Sequence, residues 1–253
     1  MSILTIKNLT VGEGVPKIIV PLVGSTDESI LQEAELVREM EPDVIEWRVD
    51  TYENVEDIHA VKEMTAKLRT VFKEELILFT FRSHKEGGKK EISDEYYTEL
   101  NQAAITTKNI DLVDVELFNE ERVLQAILAA AKENGVYVIM SNHDFFKTPA
   151  KEEIVARLRK MQEYGADIPK MAVMPQSVHD VMTLLDATNT MKTQYADRPI
   201  ITMSMGGTGV ISRLAGEVFG SAFTFAAGKE ASAPGQIPVA ELRTVLDILH
   251  KSM

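Results

Sequence analysis

The stretch KIIVPLVGSTDES, residues 17–29, decides between the two folds that the rest of the chain allows. Residues 17–23 form an apolar, β-branched run of strand length. A turn into a helix follows. Ser25 with Glu28 three residues on reads as a capping box, and Ile30, Ala34 and Val37 continue as an apolar stripe at helical spacing. Pro42 lies beyond the end of that helix. The turn itself, VGSTDES (23–29), contains no G-x-G-x-x-G. An open doubly wound sheet would ordinarily carry that phosphate fingerprint after its first strand.

The same alternation recurs along the chain. Seven further strand-like runs follow: DVIEWRVD (43–50), LILFTFRS (76–83), LVDVELF (112–118), VYVIMSNHD (136–144), IPKMAVMP (168–175), PIITMSMG (199–206) and SAFTFAAG (221–228). Amphipathic helical segments lie between them. Two of these end at Gly135 and Gly165, which suit a helix C-terminus, and the last helix, from Pro238, begins with proline at its first position. Strict β/α alternation implies a parallel sheet covered by helices. Eight such units in 253 residues predict an α/β protein with a (β/α)8 TIM barrel. The preceding segment, ILTIKNLTVGEG (3–14), predicts a small β-hairpin closing the bottom of the barrel. With no internal repeat, low-complexity tract or linker, residues 1–253 read as a single domain.

Composition narrows the function classes. A net charge of −12 argues against nucleic acid or an anionic membrane as the main partner, so an anionic ligand would need arginines gathered locally. The absence of cysteine removes disulfides, thiolate catalysis and Cys-ligated zinc. No basic segment leads into a long apolar run at the N-terminus, and no apolar stretch approaches the roughly 20 residues of a membrane span. These features predict a soluble, cytoplasmic protein.

In a barrel of this kind chemistry gathers at the C-terminal ends of the strands. Glu46, Arg48 and Asp50 alternate with Ile45, Trp47 and Val49, so the three charges share one face and the apolar set faces the helices. Arg82 ends the next strand and Glu86 follows it. Asp114 and Glu116, on one face of their strand, suit barrel salt bridges as well as they suit chemistry. His143 and Lys170 come from two further strands, and Arg213 follows another. Lys170 lies in an apolar strand, where an ammonium is costly and a neutral amine is a nucleophile. Burial, aided by Arg48 or Arg82 if either is close, would favour that neutral form. A neutral lysine attacks a ketone or aldehyde to give an iminium ion, a histidine can move the proton thereby acidified, and an arginine can hold a carboxylate. The set points to a lyase or aldolase acting through a Schiff base on a small anionic keto compound. Two alternatives stand beside it: a class I aldolase on a phosphorylated sugar, and a non-catalytic barrel that binds a hydroxy acid.

Other signals are weaker. MGGTG (205–209) and AAGKEASAPGQ (226–236) are glycine-rich, but the P-loop pattern fails because Phe223 and Glu230 stand where glycine and Ser/Thr are required. The second loop reads as a candidate lid. No histidine spacing suggests a metal site; His59, His179 and His250 fall on predicted helices as surface residues, and His84 lies nearer the mouth.

At these residues the chain resembles the type I 3-dehydroquinate dehydratases over essentially its whole length. The matching stretches are GEGVPKIIV, EWRVD, FTFRSHKEGG, MSNHDF, KTP, ADIPKMAVMP, ITMSMG, GVISRLAGEVFGSAFTF and ASAPGQ. The resemblance implies a (β/α)8 barrel that dehydrates 3-dehydroquinate to 3-dehydroshikimate in the shikimate pathway, without metal or other cofactor, and that forms a homodimer. It also implies roles. Lys170 would form the Schiff base, His143 would be the general acid/base, and Glu86 would orient it. Arg213 would hold the substrate carboxylate, and Glu46, Arg48 and Arg82 would surround the ring hydroxyls. Met203, Met205, Phe225 and Ala233 would pack against the ring, while Ser232 and Gln236 would close over it. Two departures are visible. Pro21 stands where some relatives carry serine, and Gly206 and Gly207 replace larger residues found in some relatives.

Overall fold

The computed structural model describes residues 3–228 and 233–253. Two short strands, β1 (Leu4–Ile6) and β2 (Leu9–Val11), pair antiparallel as a hairpin. The eight apolar runs then appear as β3 (Lys17–Leu22), β4 (Val44–Arg48), β5 (Leu76–Thr80), β6 (Leu112–Glu116), β7 (Tyr137–Asp144), β8 (Ile168–Val173), β9 (Ile201–Ser204) and β10 (Phe223–Ala227). A two-residue strand, β11 (Ile237–Pro238), pairs with β10.

Strands β3 to β9 lie side by side in chain order, all parallel, and β10 returns to pair with β3. A parallel bridge joins Ile200 to Ser221, just ahead of β9 and β10. The result is a central parallel sheet curled toward a barrel. Around it run α1 (Asp27–Arg38), α2 (Ile58–Val71), α3 (Asp94–Thr106), α4 (Glu121–Asn134), α5 (Lys151–Tyr164) and α6 (Val178–Thr190). Two single turns, α7 (Ile211–Leu214) and α8 (Gly216–Phe219), and the long α9 (Val239–Lys251) complete it.

Period-two alternation divides each strand between two cores. Ile45, Trp47, Ile77, Phe79, Val113 and Val115 face outward and pack with Leu68, Leu100 and Leu124 of the helices. Ile19, Val44, Leu78, Leu112, Ile139, Ile168 and Ile201 face inward and share a second cluster with Ile6 and Val11 of the hairpin. Trp47 is fully buried, edge-on to Phe79 at 5.6 Å and near Tyr52 at 5.9 Å. Among the described residues no helix is long and apolar enough to cross a membrane.

Two helix starts sit one residue from their expected places. The cap of α1 is Thr26, not Ser25: the Thr26 hydroxyl accepts from Ser29 N–H at 3.2 Å, and Ser29 Oγ accepts from Thr26 N–H at 2.9 Å. The short Ser29 hydroxyl reaches back to the cap, whereas Glu28 instead accepts from Gln32 at 3.0 Å. Pro238 occupies the cap of α9 and not its first helical position, because it still pairs with Ala227 in β11. Gly135 and Gly165 end α4 and α5 in the left-handed conformation, at φ of 71° and 93°.

Candidate active site

The inward row of each strand changes character along its length. Val44 gives way to Glu46 and Arg48, Leu78 to Thr80 and Arg82, Leu112 to Asp114 and Glu116, Ile139 to Ser141 and His143, and Ile168 to Lys170. Because the strands are parallel, all the polar ends meet at the C-terminal mouth. Lys170 lies level with Ser141 and Ile201 in the sheet, and Asp114 with Thr80 and Ile139. A cavity of about 100 Å³ opens there, lined in part by Lys170, His143, Glu86, Glu46, Arg48 and Arg82. Met203, Met205, Phe225, Arg213, Ala233 and Gln236 form its other side. Ser232 lies outside the described residues.

Lys170 is 2% exposed. Its ion-pair partners among the described residues are carboxylates: Asp114 Oδ2 at 3.1 Å and Glu46 Oε1 at 3.8 Å. Of the two arginines considered, Arg82 shares Asp114 with the lysine: Asp114 Oδ1 meets Arg82 Nη2 at 2.8 Å and accepts from Ser141 Oγ at 2.6 Å. The ammonium also sits 4.6 Å from the centroid of the Phe225 ring. Burial opposes ionisation of Asp114, yet Arg82, Lys170 and Ser141 together hold its carboxyl below the ordinary range. Arg82 completes the layer by pairing with Glu116 Oε1 at 2.8 Å. Asp114 and Glu116 are therefore salt-bridge residues, and Asp114 also touches the lysine.

His143 and Glu86 form a second unit. Glu86 Oε2 accepts the His143 backbone N–H at 2.9 Å and lies 2.9 Å from its Nδ1; Oε1 accepts from Asn142 Nδ2 at 2.9 Å. With both carboxylate oxygens taking N–H groups, the imidazole proton belongs on Nδ1, and Nε2 carries the lone pair. Burial, then the positive charges of Arg82, Lys170 and Arg48, push His143 well below its usual value, so the ring rests neutral. Burial and the neighbouring Glu116 carboxylate push Glu86 up to about 7, against the pull of Arg82, Asn142 and the His143 amide. Phe145 stacks near His143, with centroids 6.4 Å apart.

Arg213 is 1% exposed and forms no ion pair with a described residue. Its Nη2 donates to Pro234 O at 3.1 Å, Nη1 rests 3.9 Å from Met203 Sδ, and Nε has no partner. Burial lowers its pKa to about 10. A buried guanidinium with donors unspent is a receptor for an anion, above all a planar carboxylate. Arg48, by contrast, is spent on Asp50, at 2.7 and 2.8 Å. Among the described residues no group of three or more His, Asp or Glu side chains is arranged to hold a metal ion.

Sequence reasoning missed Gly87, Phe145 and Ala172, which also line the cavity. None of the three carries charge, and only the fold brings them to the mouth. His84 is exposed and lines a small cavity behind Glu86, while His59, His179 and His250 are on the surface.

A family model described as Type I 3-dehydroquinase matches residues 18–253. The 3-dehydroquinate dehydratase of Bacillus velezensis is 64% identical over 253 residues, covering all of both chains. That of Bacillus subtilis is 62% identical over 252 residues, covering 100% of this chain and 99% of its own. Among solved structures, a type I 3-dehydroquinate dehydratase from Clostridium difficile, carrying covalently modified comenic acid, superposes with a TM-score of 0.97 at 56% identity, covering 100% of this chain and 99% of that one. A 3-hexulose-6-phosphate synthase shares the fold at a TM-score of 0.60 and 19% identity, covering 90% of this chain and 99% of that one.

Proposed function

The chain belongs to the type I 3-dehydroquinase family, and we infer that its reaction runs through an imine on Lys170 with His143 as the acid/base. It converts 3-dehydroquinate to 3-dehydroshikimate. The observation that carries the residue assignment is that a buried lysine, a neutral histidine and an arginine with unspent donors all line one cavity. The covalently modified ligand in the Clostridium difficile relative supports a site that bonds to what it binds.

The substrate carboxylate docks on Arg213, which places the ring against Met203, Met205, Phe225 and Ala233. Glu46, Arg48 and Arg82 surround the hydroxyls, and Gln236 covers the ligand from the last loop. Lys170 passes a proton to His143 and attacks the C3 ketone; His143 returns that proton to the carbinolamine hydroxyl, which leaves as water, and an iminium remains. That iminium carries the same charge as the ammonium it replaces, so Asp114 faces a cation before and after. The iminium draws electron density from C2, and His143 takes a C2 proton at Nε2. Glu86 accepts the Nδ1–H and steadies the imidazolium. His143 then returns the proton to the C1 hydroxyl, which departs as water, and hydrolysis of the imine frees Lys170. One water is lost overall.

The bridge from Ile200 to Ser221 and the bonds from Ala222 N–H to Ile200 O (2.8 Å) and from Thr202 N–H to Ser221 Oγ (3.0 Å) support a closed (β/α)8 barrel. The hairpin caps its N-terminal mouth through Ile6 and Val11, and residues 1–253 act as one domain. A homodimer in the cytoplasm completes the reading; sedimentation at micromolar concentration tests the dimer. The reaction is tested by following the conjugated enone of the product in the near ultraviolet. Lys170→Met and His143→Ala should each leave no more than about 10⁻² of wild-type turnover, and wild-type rates in either variant would remove its assigned role.

A further inference from the structure

Beyond the cavity a line of side chains continues outward that the reaction above does not use. Arg157 projects from α5, outside the sheet, and its Nη1 donates to Asn142 Oδ1 at 2.7 Å. Asn142, 3% exposed, donates from Nδ2 to Glu86 Oε1, and Glu86 Oε2 meets His143 Nδ1. Asn142 stands on the outer row of β7, whose other outward positions, Val138 and Met140, belong to the apolar core. Arg157 is itself held by Glu153 and by the Phe118 ring, 5.3 Å from its guanidinium carbon.

An amide can be turned over with little change of shape, exchanging its donor and acceptor ends. A guanidinium only donates, so it selects the orientation with Oδ1 toward Arg157 and the NH2 group toward Glu86. Turned over, the amide would present Oδ1 to Glu86, and only a protonated carboxyl could meet it. The geometry points to Arg157 as a positioning residue for the acid/base pair: it locks the Asn142 amide so that Glu86 stays a proton acceptor and His143 keeps its proton on Nδ1.

Glu86 is open to such control. Arg82 faces it from the end of β5 at 3.6 Å, Glu116 from β6, and His143 from β7, with Arg48 and Lys170 acting on His143 in turn. His84 and Lys85 of its own turn, and Glu91, Asp94 and Tyr97, line the small cavity behind it. Glu86 titrates near 7, where the loss of one donor registers in the working pH range.

The inference rests on the lysine-imine reading, and the experiment separates the two. Arg157→Met keeps bulk over Phe118 and removes the donors. The acid limb of its kcat/KM profile should rise by about one pH unit, giving about tenfold lower kcat/KM on the acid side and near wild-type values above it. Arg157→Lys, which supplies a donor again, should keep the acid limb close to its wild-type position. In an Asn142→Leu background, Arg157→Met should move the limb no further. An acid limb that stays in place in Arg157→Met, or a full further shift in the Asn142→Leu background, overturns the inference. If Arg157→Met does not fold, the wild-type protein carries the test: the Asn142 side-chain NH2 resonances should titrate with Glu86, and a flat response overturns the relay. Borohydride trapping on wild-type protein guards the premise. An adduct on Lys170 with an unmoved acid limb sinks the Arg157 inference alone, whereas no adduct from folded, ligand-binding protein sinks the imine reading.

Discussion

Replacing Arg213 by methionine should stabilise the empty protein while nearly abolishing its activity. Methionine fills similar space without a charge. Burial holds the guanidinium down at about 10, well below its ordinary value. A cation whose folded pKa is depressed destabilises the fold wherever it is charged in both states, which includes neutral pH. At about 1.4 kcal/mol per pH unit the depression corresponds to roughly 3 kcal/mol. The bond to Pro234 O, lost in the variant, offsets about 1 kcal/mol. The net expectation is about 2 kcal/mol of added stability, a rise in Tm of about 4–6 °C for a chain of this size. Activity should move the other way. Removing one partner of a buried, charge-assisted pair costs about 2–5 kcal/mol, so kcat/KM should fall by a factor between roughly 30 and 5,000. Ligand-free thermal melts and steady-state kinetics read the two effects, and calorimetry with an unreactive quinate-like acid isolates binding. A variant that melts no higher than wild type and binds the acid equally well would refute the reasoning.

Three further outcomes follow from the same geometry. Glu86 must be ionised to accept the His143 Nδ1–H and titrates near 7, so kcat/KM should rise with pH through about 7; a profile flat from pH 6 to 8 would mean that Glu86 does not gate the reaction. Gly235 lies at φ 79° with its missing Cβ only 2.4 Å from Gly206 O, so Gly235→Ala should push the last loop off the 206 turn and lower kcat/KM roughly tenfold with little change in Tm. Trp47→Ala should cost about 3–5 kcal/mol in urea melts, because it empties a fully buried site packed by Tyr52 and Phe79; a loss below 1 kcal/mol would mean the outer core repacks there.

Much of the architecture was legible because burial on both faces of a parallel strand leaves an apolar run with abrupt ends. The polar mouth was legible for a related reason: the inward row in Val44–Glu46–Arg48 or Ile168–Lys170 changes from apolar to charged partway along the strand. What sequence could not give is lateral contact. Asp114 on β6 meets Lys170 on β8 across β7, so the contact depends on the registers of three strands together and is not readable from any one of them. Asn142 and Arg157 are not legible in the sequence because an amide on an outward row and an arginine on a helix carry no periodic signature. The cap of α1 was displaced by one residue because Ser25, Thr26 and Ser29 offer nearly equivalent hydroxyls.

The central claim is that Lys170 bonds covalently to the substrate, and borohydride trapping tests it most directly. The folded protein is incubated with 3-dehydroquinate, reduced, and analysed by intact mass and peptide mapping. The account predicts one substrate- or product-sized adduct per chain, on Lys170 and absent from Lys170→Met. An unmodified chain that nonetheless binds the ligand, or an adduct on another lysine, would contradict it.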